Sequence, residues 1–139
     1  MKMPNKKTRP AKKLPADLAK FRGTYVKLFG TLPPLPTARF EFSGDVDPKF
    51  LRISEQMRAH AFFSDVFDGK TTQLILFGML LVEHNQMGAM AHATAARRLG
   101  ASWKELHKVM ELAATTGALG PANQGAALLK DLRDKERSK

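Results

Sequence analysis

The sequence predicts an all-α protein, a bundle of about six helices in one domain. Three observations predict it. Apolar residues recur at three- and four-residue spacing in successive segments, the period of an amphipathic helix. Helix start and stop signals fall between those segments, and no run alternates polar and apolar residues as a half-buried strand would. A chain of 139 residues also fits a single domain, against a prior of about 100–200 residues each.

Taken in order, residues 1–13 hold Lys2, Lys6, Lys7, Arg9, Lys12 and Lys13, with no acid and no aromatic residue. They read as a basic, disordered tail, and residues 14–139 as a single helical domain. Pro15 opens a first helix through about Phe29, with Leu18, Phe21, Tyr25, Leu28 and Phe29 as its apolar stripe. Gly30–Gly44 contains Pro33, Pro34 and Pro36 and reads as a non-helical connector. Asp47-Pro48 is an N-cap and first-turn pair. It opens a helix with Phe50, Leu51, Ile53, Met57 and Phe62 facing inward. Asp68-Gly69 marks a turn before an apolar helix from near Lys70 to Val82, so hydrophobic that neighbours should surround it on most sides. Gln86–Leu99 follows, rich in small residues (Gly88, Ala89, Ala91, Ala93, Ala95, Ala96), with Gly100 as its C′ residue. Ser102-Trp103-Lys104-Glu105 is a capping box, leading a helix striped by Leu106, Val109, Met110 and Ala113. Gly117–Gly120 ends that helix and Pro121 begins the last one.

Composition excludes several functions. With no cysteine there is no disulfide, thiolate ligand or peroxidatic thiol, so a Cys-dependent peroxidase is ruled out. The formal charge of +10 sits mostly in the tail, which carries six of those charges. Basic residues without interleaved aromatics on a folded face argue against a nucleic-acid partner. The longest apolar run, Leu74–Val82, is far short of the ~20 residues that span a membrane. The N-terminus lacks the apolar core of a secretory signal, and the expected location is the cytoplasm. Small residues on the Gln86–Leu99 helix let backbones approach closely but bury little area each. They call for bulky partners, either Phe77, Leu80 and Leu81 or helices of a second subunit.

Among residues able to carry chemistry, His92 stands first. Gly88, Ala89, Ala95 and Ala96 surround it one turn either way, leaving room for a ligand beside an imidazole suited to acid–base work. The competing reading is an interface or core histidine bonded to a backbone carbonyl. Glu83 and His84 end the apolar run. In one continuous helix Glu83 would lie about 13 Å from His92 along the axis, so a joint site needs a break near Glu83–Gln86 or a contribution from another subunit. His84-Asn85-Gln86 are mediocre helix formers, which favours a break. No metal-ligand spacing, P-loop, dinucleotide fingerprint or nucleophile elbow is present. Arg97 and Arg98 read as a solvated pair favourable to a helix C-terminus.

Between Asp68 and Leu132 the order of pieces resembles the carboxymuconolactone decarboxylase superfamily, which includes the alkylhydroperoxidase-D-like proteins. The pieces are D-x-K-T-x-x-L at Asp68–Leu74, the apolar helix, H-x-x-x-A-x-x-x-G at His92–Gly100, the helix entered at Ser102–Glu105, and the Gly120-Pro121 break. The resemblance implies an all-helical alkylhydroperoxidase-D-like bundle assembling as a dimer, trimer or hexamer, with sites near subunit contacts. In the peroxidase branch, the glutamate position matches Gln73, the two cysteines match Asn85 and Gly88, and the histidine between them matches Met87; His92 alone is kept. In the decarboxylase branch a His-Glu pair stands where Met87-Gly88 are found here. The resemblance implies a cofactor-independent, metal-free lyase of aromatic catabolism acting on a small carboxylated or lactone metabolite. His92 and Glu83 are then the catalytic candidates, and Gln73, His84, Asn85 and Trp103 the substrate-binding ones. The alternative is a non-catalytic member of the same fold, an accessory oligomer or a small-ligand binder whose pocket is lined by Phe77, Met87, Met90 and Trp103.

Overall fold

The computed structural model describes residues 14–137, the side chains of residues 132 and 135–137 excepted. The basic tail lies outside the described residues. Six helices and no strand are found among the described residues: α1 (Ala16–Phe29), α2 (Pro34–Val46), α3 (Pro48–Phe62), α4 (Gly69–Val82), α5 (Gln86–Arg98) and α6 (Trp103–Arg137). The class is all-α. The chain divides into two compact units, one ending at Ala61 and the other beginning at Phe62.

In the first unit the expected α1 stripe is the core. Leu18 and Tyr25 are buried with Phe40 of α2 and Leu51 of α3, and Leu14, Phe21, Phe29 and Leu32 pack around them. The Tyr25 ring meets Phe40 edge-on, centroids 5.8 Å apart, a favoured aromatic geometry. Gly30 ends α1 in the left-handed region, at φ 84°, donating to the Val26 carbonyl.

Two expectations for this unit are corrected. The proline-rich connector is largely helix, because Pro34 and Pro36 fall in the first turn of α2. First-turn amides have no intrahelical acceptor, so a proline there forfeits nothing; Thr37, the first residue that needs one, donates to the Pro33 carbonyl at 2.9 Å. The inward face of α3 is also different. Leu51 is buried as expected, but Phe50, Ile53 and Met57 are each more than half exposed. One turn after Leu51, the inward position is Glu55, fully buried. Its Oε1 accepts from the Tyr25 hydroxyl at 2.9 Å and from Arg39, and its Oε2 accepts from Arg58 Nε at 3.0 Å. The Arg58 guanidinium lies 3.8 Å from the Tyr25 ring centroid. A buried carboxylate without such partners would cost several kcal/mol. Burial, with the Glu55 charge assisting, pushes the Tyr25 hydroxyl up to about 12.

In the second unit α4 packs against both α5 and α6. The small residues of α5 meet bulky ones of α4 within the chain. Leu74, Phe77 and Ala93 pack on the buried Ala96, Ala101 and Leu106, and Leu80 lies so close to Gly88 that an added Cβ would come within 3.1 Å of it. At Gly78, where α6 passes α4, a Cβ would stand 2.9 Å from Val109 Cγ1. On the other face of α4, Ile75, Met79 and Val82 are exposed among the described residues.

Both ends of the α5–α6 turn follow the sequence signals. Gly100, at φ 92°, donates to the Arg97 carbonyl and Ala101 to that of Ala96 at 2.9 Å, the paired bonds of a Schellman ending. In the capping box, Ser102 N–H donates to Glu105 Oε2 at 2.6 Å and Glu105 N–H to Ser102 Oγ at 3.1 Å. Lys70 of α4 joins it, donating to Glu105 Oε1 at 2.8 Å. That lysine bond, with the Ser102 amide, holds the Glu105 carboxyl down at about 2. The expected division at Gly117–Pro121 is corrected: α6 runs through Pro121 as one helix. Proline there removes a single bond to the Gly117 carbonyl, and good helix formers, Ala118, Leu119, Ala122, Ala126 and Ala127, flank it.

Candidate functional site

The site is built on the α4–α5 hairpin. Asp68 caps α4, its carboxylate accepting from Thr71 N–H at 2.7 Å; that bond and the Thr71 hydroxyl lower its pKa. Four residues into the helix, Gln73 points inward and is 1% exposed. The helix ends at Val82. His84 takes the left-handed conformation, φ 56°, the one non-glycine to do so among the described residues. Asn85 then caps α5, its side-chain oxygen accepting from Gly88 N–H at 2.9 Å. The break sought at Glu83–Gln86 is therefore present, and it folds α5 back along α4.

Folding back aligns Gln73 with His92, nineteen residues later. Gln73 Oε1 lies 2.7 Å from His92 Nδ1. An amide oxygen only accepts, so this contact suits the tautomer with the proton on Nδ1 and Nε2 as the basic nitrogen. His92 is half-buried, and the Phe62 ring stands edge-on to the imidazole, centroids 5.6 Å apart. An uncharged amide and an aromatic edge thus fix the ring plane, while Ala89, Ala95 and Ala96 of the same helix are buried around it.

Of the residues singled out from sequence as catalytic or substrate-binding, the structure brings Gln73 and His92 together. Glu83, His84 and Asn85 are exposed at the hairpin turn. Glu83 lies ten residues beyond Gln73, about 15 Å along α4, at the opposite end of the hairpin from the Gln73 contact. Asn85 spends its side-chain oxygen on the α5 cap. Trp103 is 72% exposed, with the Arg97 guanidinium 4.4 Å from its ring centroid. Arg97 also donates to the Ala101 carbonyl, so it ties the α5–α6 turn. Met87 and Met90 are more than half exposed. Phe62 was not legible as a site residue, because only the tertiary fold carries it to His92. The Tyr25–Arg39–Glu55–Arg58 cluster was likewise missed, although Leu51, Glu55 and Arg58 share helical spacing that marks one face.

Among the described residues no group of three or more His, Asp or Glu side chains is arranged to hold a metal. No described helix is long and apolar enough to cross a membrane. No curated protein and no solved structure matches the chain significantly. The model of the carboxymuconolactone decarboxylase family matches residues 48–131, which include the whole α4–α5 hairpin and its Gln73–His92 pair. That match covers more than half of the sequence, and the chain belongs to the carboxymuconolactone decarboxylase family.

Proposed function

We propose that the protein is a cofactor-independent lyase acting on a small carboxylated lactone or related acid, with His92 as the proton-transferring group. The observation that carries this reading is the buried Gln73 amide bonded to His92 Nδ1 inside the family-matched hairpin. In the reaction, the bond between the carboxylate carbon and the substrate breaks and carbon dioxide leaves. The electron pair moves into the conjugated lactone carbonyl, and a proton from Nε2 of the His92 imidazolium goes to carbon. Solvent then restores the proton. General acid–base help of this kind contributes roughly 10²–10⁴ in rate.

Glu83 and His84 enter this scheme across a subunit contact, since the hairpin sets them at its far end. We propose a homo-oligomer whose contact includes the exposed α4 face of Ile75, Met79 and Val82. A stripe of this kind on a helix is a feature that a partner surface buries. A second reading, small-ligand binding without turnover, is favoured by one observation: an uncharged glutamine, rather than a carboxylate, holds the ring. Assaying a panel of lactone carboxylic acids for carbon dioxide release separates the two. Turnover that His92→Asn lowers by at least about 10² supports the lyase; saturable binding with no release by the wild type supports the binder and removes the catalytic proposal.

A further inference from the structure

We infer that Gln73 is a tautomer lock, a positioning residue that restricts proton exchange of His92 to Nε2 throughout the reaction cycle; this rests on the lyase reading for its catalytic meaning. Gln73 is almost wholly buried, so its amide has little freedom to exchange partners with water. Its oxygen faces Nδ1 at 2.7 Å, and an amide oxygen accepts equally from a neutral Nδ1–H ring and from an imidazolium. The same contact therefore serves both protonation states, and only Nε2 gains or loses a proton. The Phe62 ring, edge-on at 5.6 Å, hinders rotation of the imidazole about its own axis, which would otherwise exchange the two nitrogens.

The identity of the residue matters as much as its place. A carboxylate at position 73 would pair with the imidazolium and stabilise its charge. A neutral amide orients the ring without adding a charge of its own. The ligand class follows: a substrate whose developing carbanion accepts a proton at one carbon, delivered along one fixed direction. A reaction that needs both ring nitrogens, such as a relay through the ring, does not fit.

The test is nitrogen-15 NMR of the histidine rings in the full-length protein, with Gln73→Leu and Gln73→Glu as variants. The wild type is expected to show His92 protonated at Nδ1, with Nε2 as the unprotonated nitrogen. Gln73→Leu, which keeps the volume and removes the acceptor, should shift the ring to the Nε2–H form or a mixture, and lower turnover on the order of 10- to 100-fold, a part of the full acid–base contribution. Gln73→Glu restores an acceptor and should return the proton to Nδ1, in the neutral ring and in the imidazolium that the carboxylate favours. A wild-type ring in the Nε2–H form, or a tautomer indifferent to Gln73→Leu, overturns the lock even if the enzyme turns over. The expected tautomers with no turnover of any acid retain the lock and refute the lyase instead.

Discussion

Replacing Gly78 by alanine tests the packing that positions Gln73. A Cβ at residue 78 would sit 2.9 Å from Val109 Cγ1, closer than carbon atoms pack. Val109 cannot turn away cheaply, because a β-branched side chain in a helix has one strongly favoured rotamer. Overpacking of this kind costs roughly 1–3 kcal/mol, while alanine in place of glycine gains about 1 kcal/mol of helix propensity. The net expectation is a loss of about 1 kcal/mol, read as a lower urea midpoint with an unchanged m-value. The sign should invert when the clash is removed. In a Val109→Ala background the same change should stabilise by about 1 kcal/mol, since only the propensity gain remains. The double-mutant cycle then gives a coupling of roughly 1–3 kcal/mol. Gly78→Ala that stabilises the wild-type chain, or a cycle that closes without coupling, would refute the close α4–α6 approach.

Three further outcomes follow from the same structure. The chain has one tyrosine, so its alkaline absorbance titration reads Tyr25 directly. The phenol should ionise at about 12 rather than the ordinary 10.0, and a midpoint near 10 would contradict the buried Tyr25–Glu55 contact. The depressed Glu105 carboxyl contributes stability that is present above its ordinary 4.5 and lost as the pH falls towards about 2; denaturant melts of wild type and Glu105→Gln across that window should converge at the acid end. Ile75→Glu combined with Met79→Glu should reduce the sedimentation mass to that of one chain, and an unchanged mass would remove the α4 face from the proposed contact.

Much of the fold was legible because its signals are local. The α1 stripe, the Asp47-Pro48 start, the Gly100 ending and the Ser102–Glu105 box each depend on residues within one or two turns. Prolines were harder, since their effect depends on position rather than presence. Pro34 and Pro36 fall where no amide is needed, and Pro121 costs one bond in an alanine-rich helix. The face of α3 was ambiguous for another reason. Phe50 and Leu51 are adjacent, so hydrophobic spacing allowed either to point inward, and the deciding partner was the buried Glu55, whose compensating Arg39 and Tyr25 come from other helices. Within the site, His92 stood out by its small neighbours, while its bond to Gln73 required the hairpin to fold back across nineteen positions. The resemblance placed Gln73 at a functional position; its hydrogen bond depends on α5 folding back along α4.

In the proposed reaction Gln73 and His92 act as one unit, and a kinetic double-mutant cycle on that pair tests this most directly. Groups that act together are strongly non-additive. Once His92→Asn has removed the acid–base group, adding Gln73→Leu should lower carbon dioxide release no further. Independent, multiplying losses from the two substitutions would contradict it.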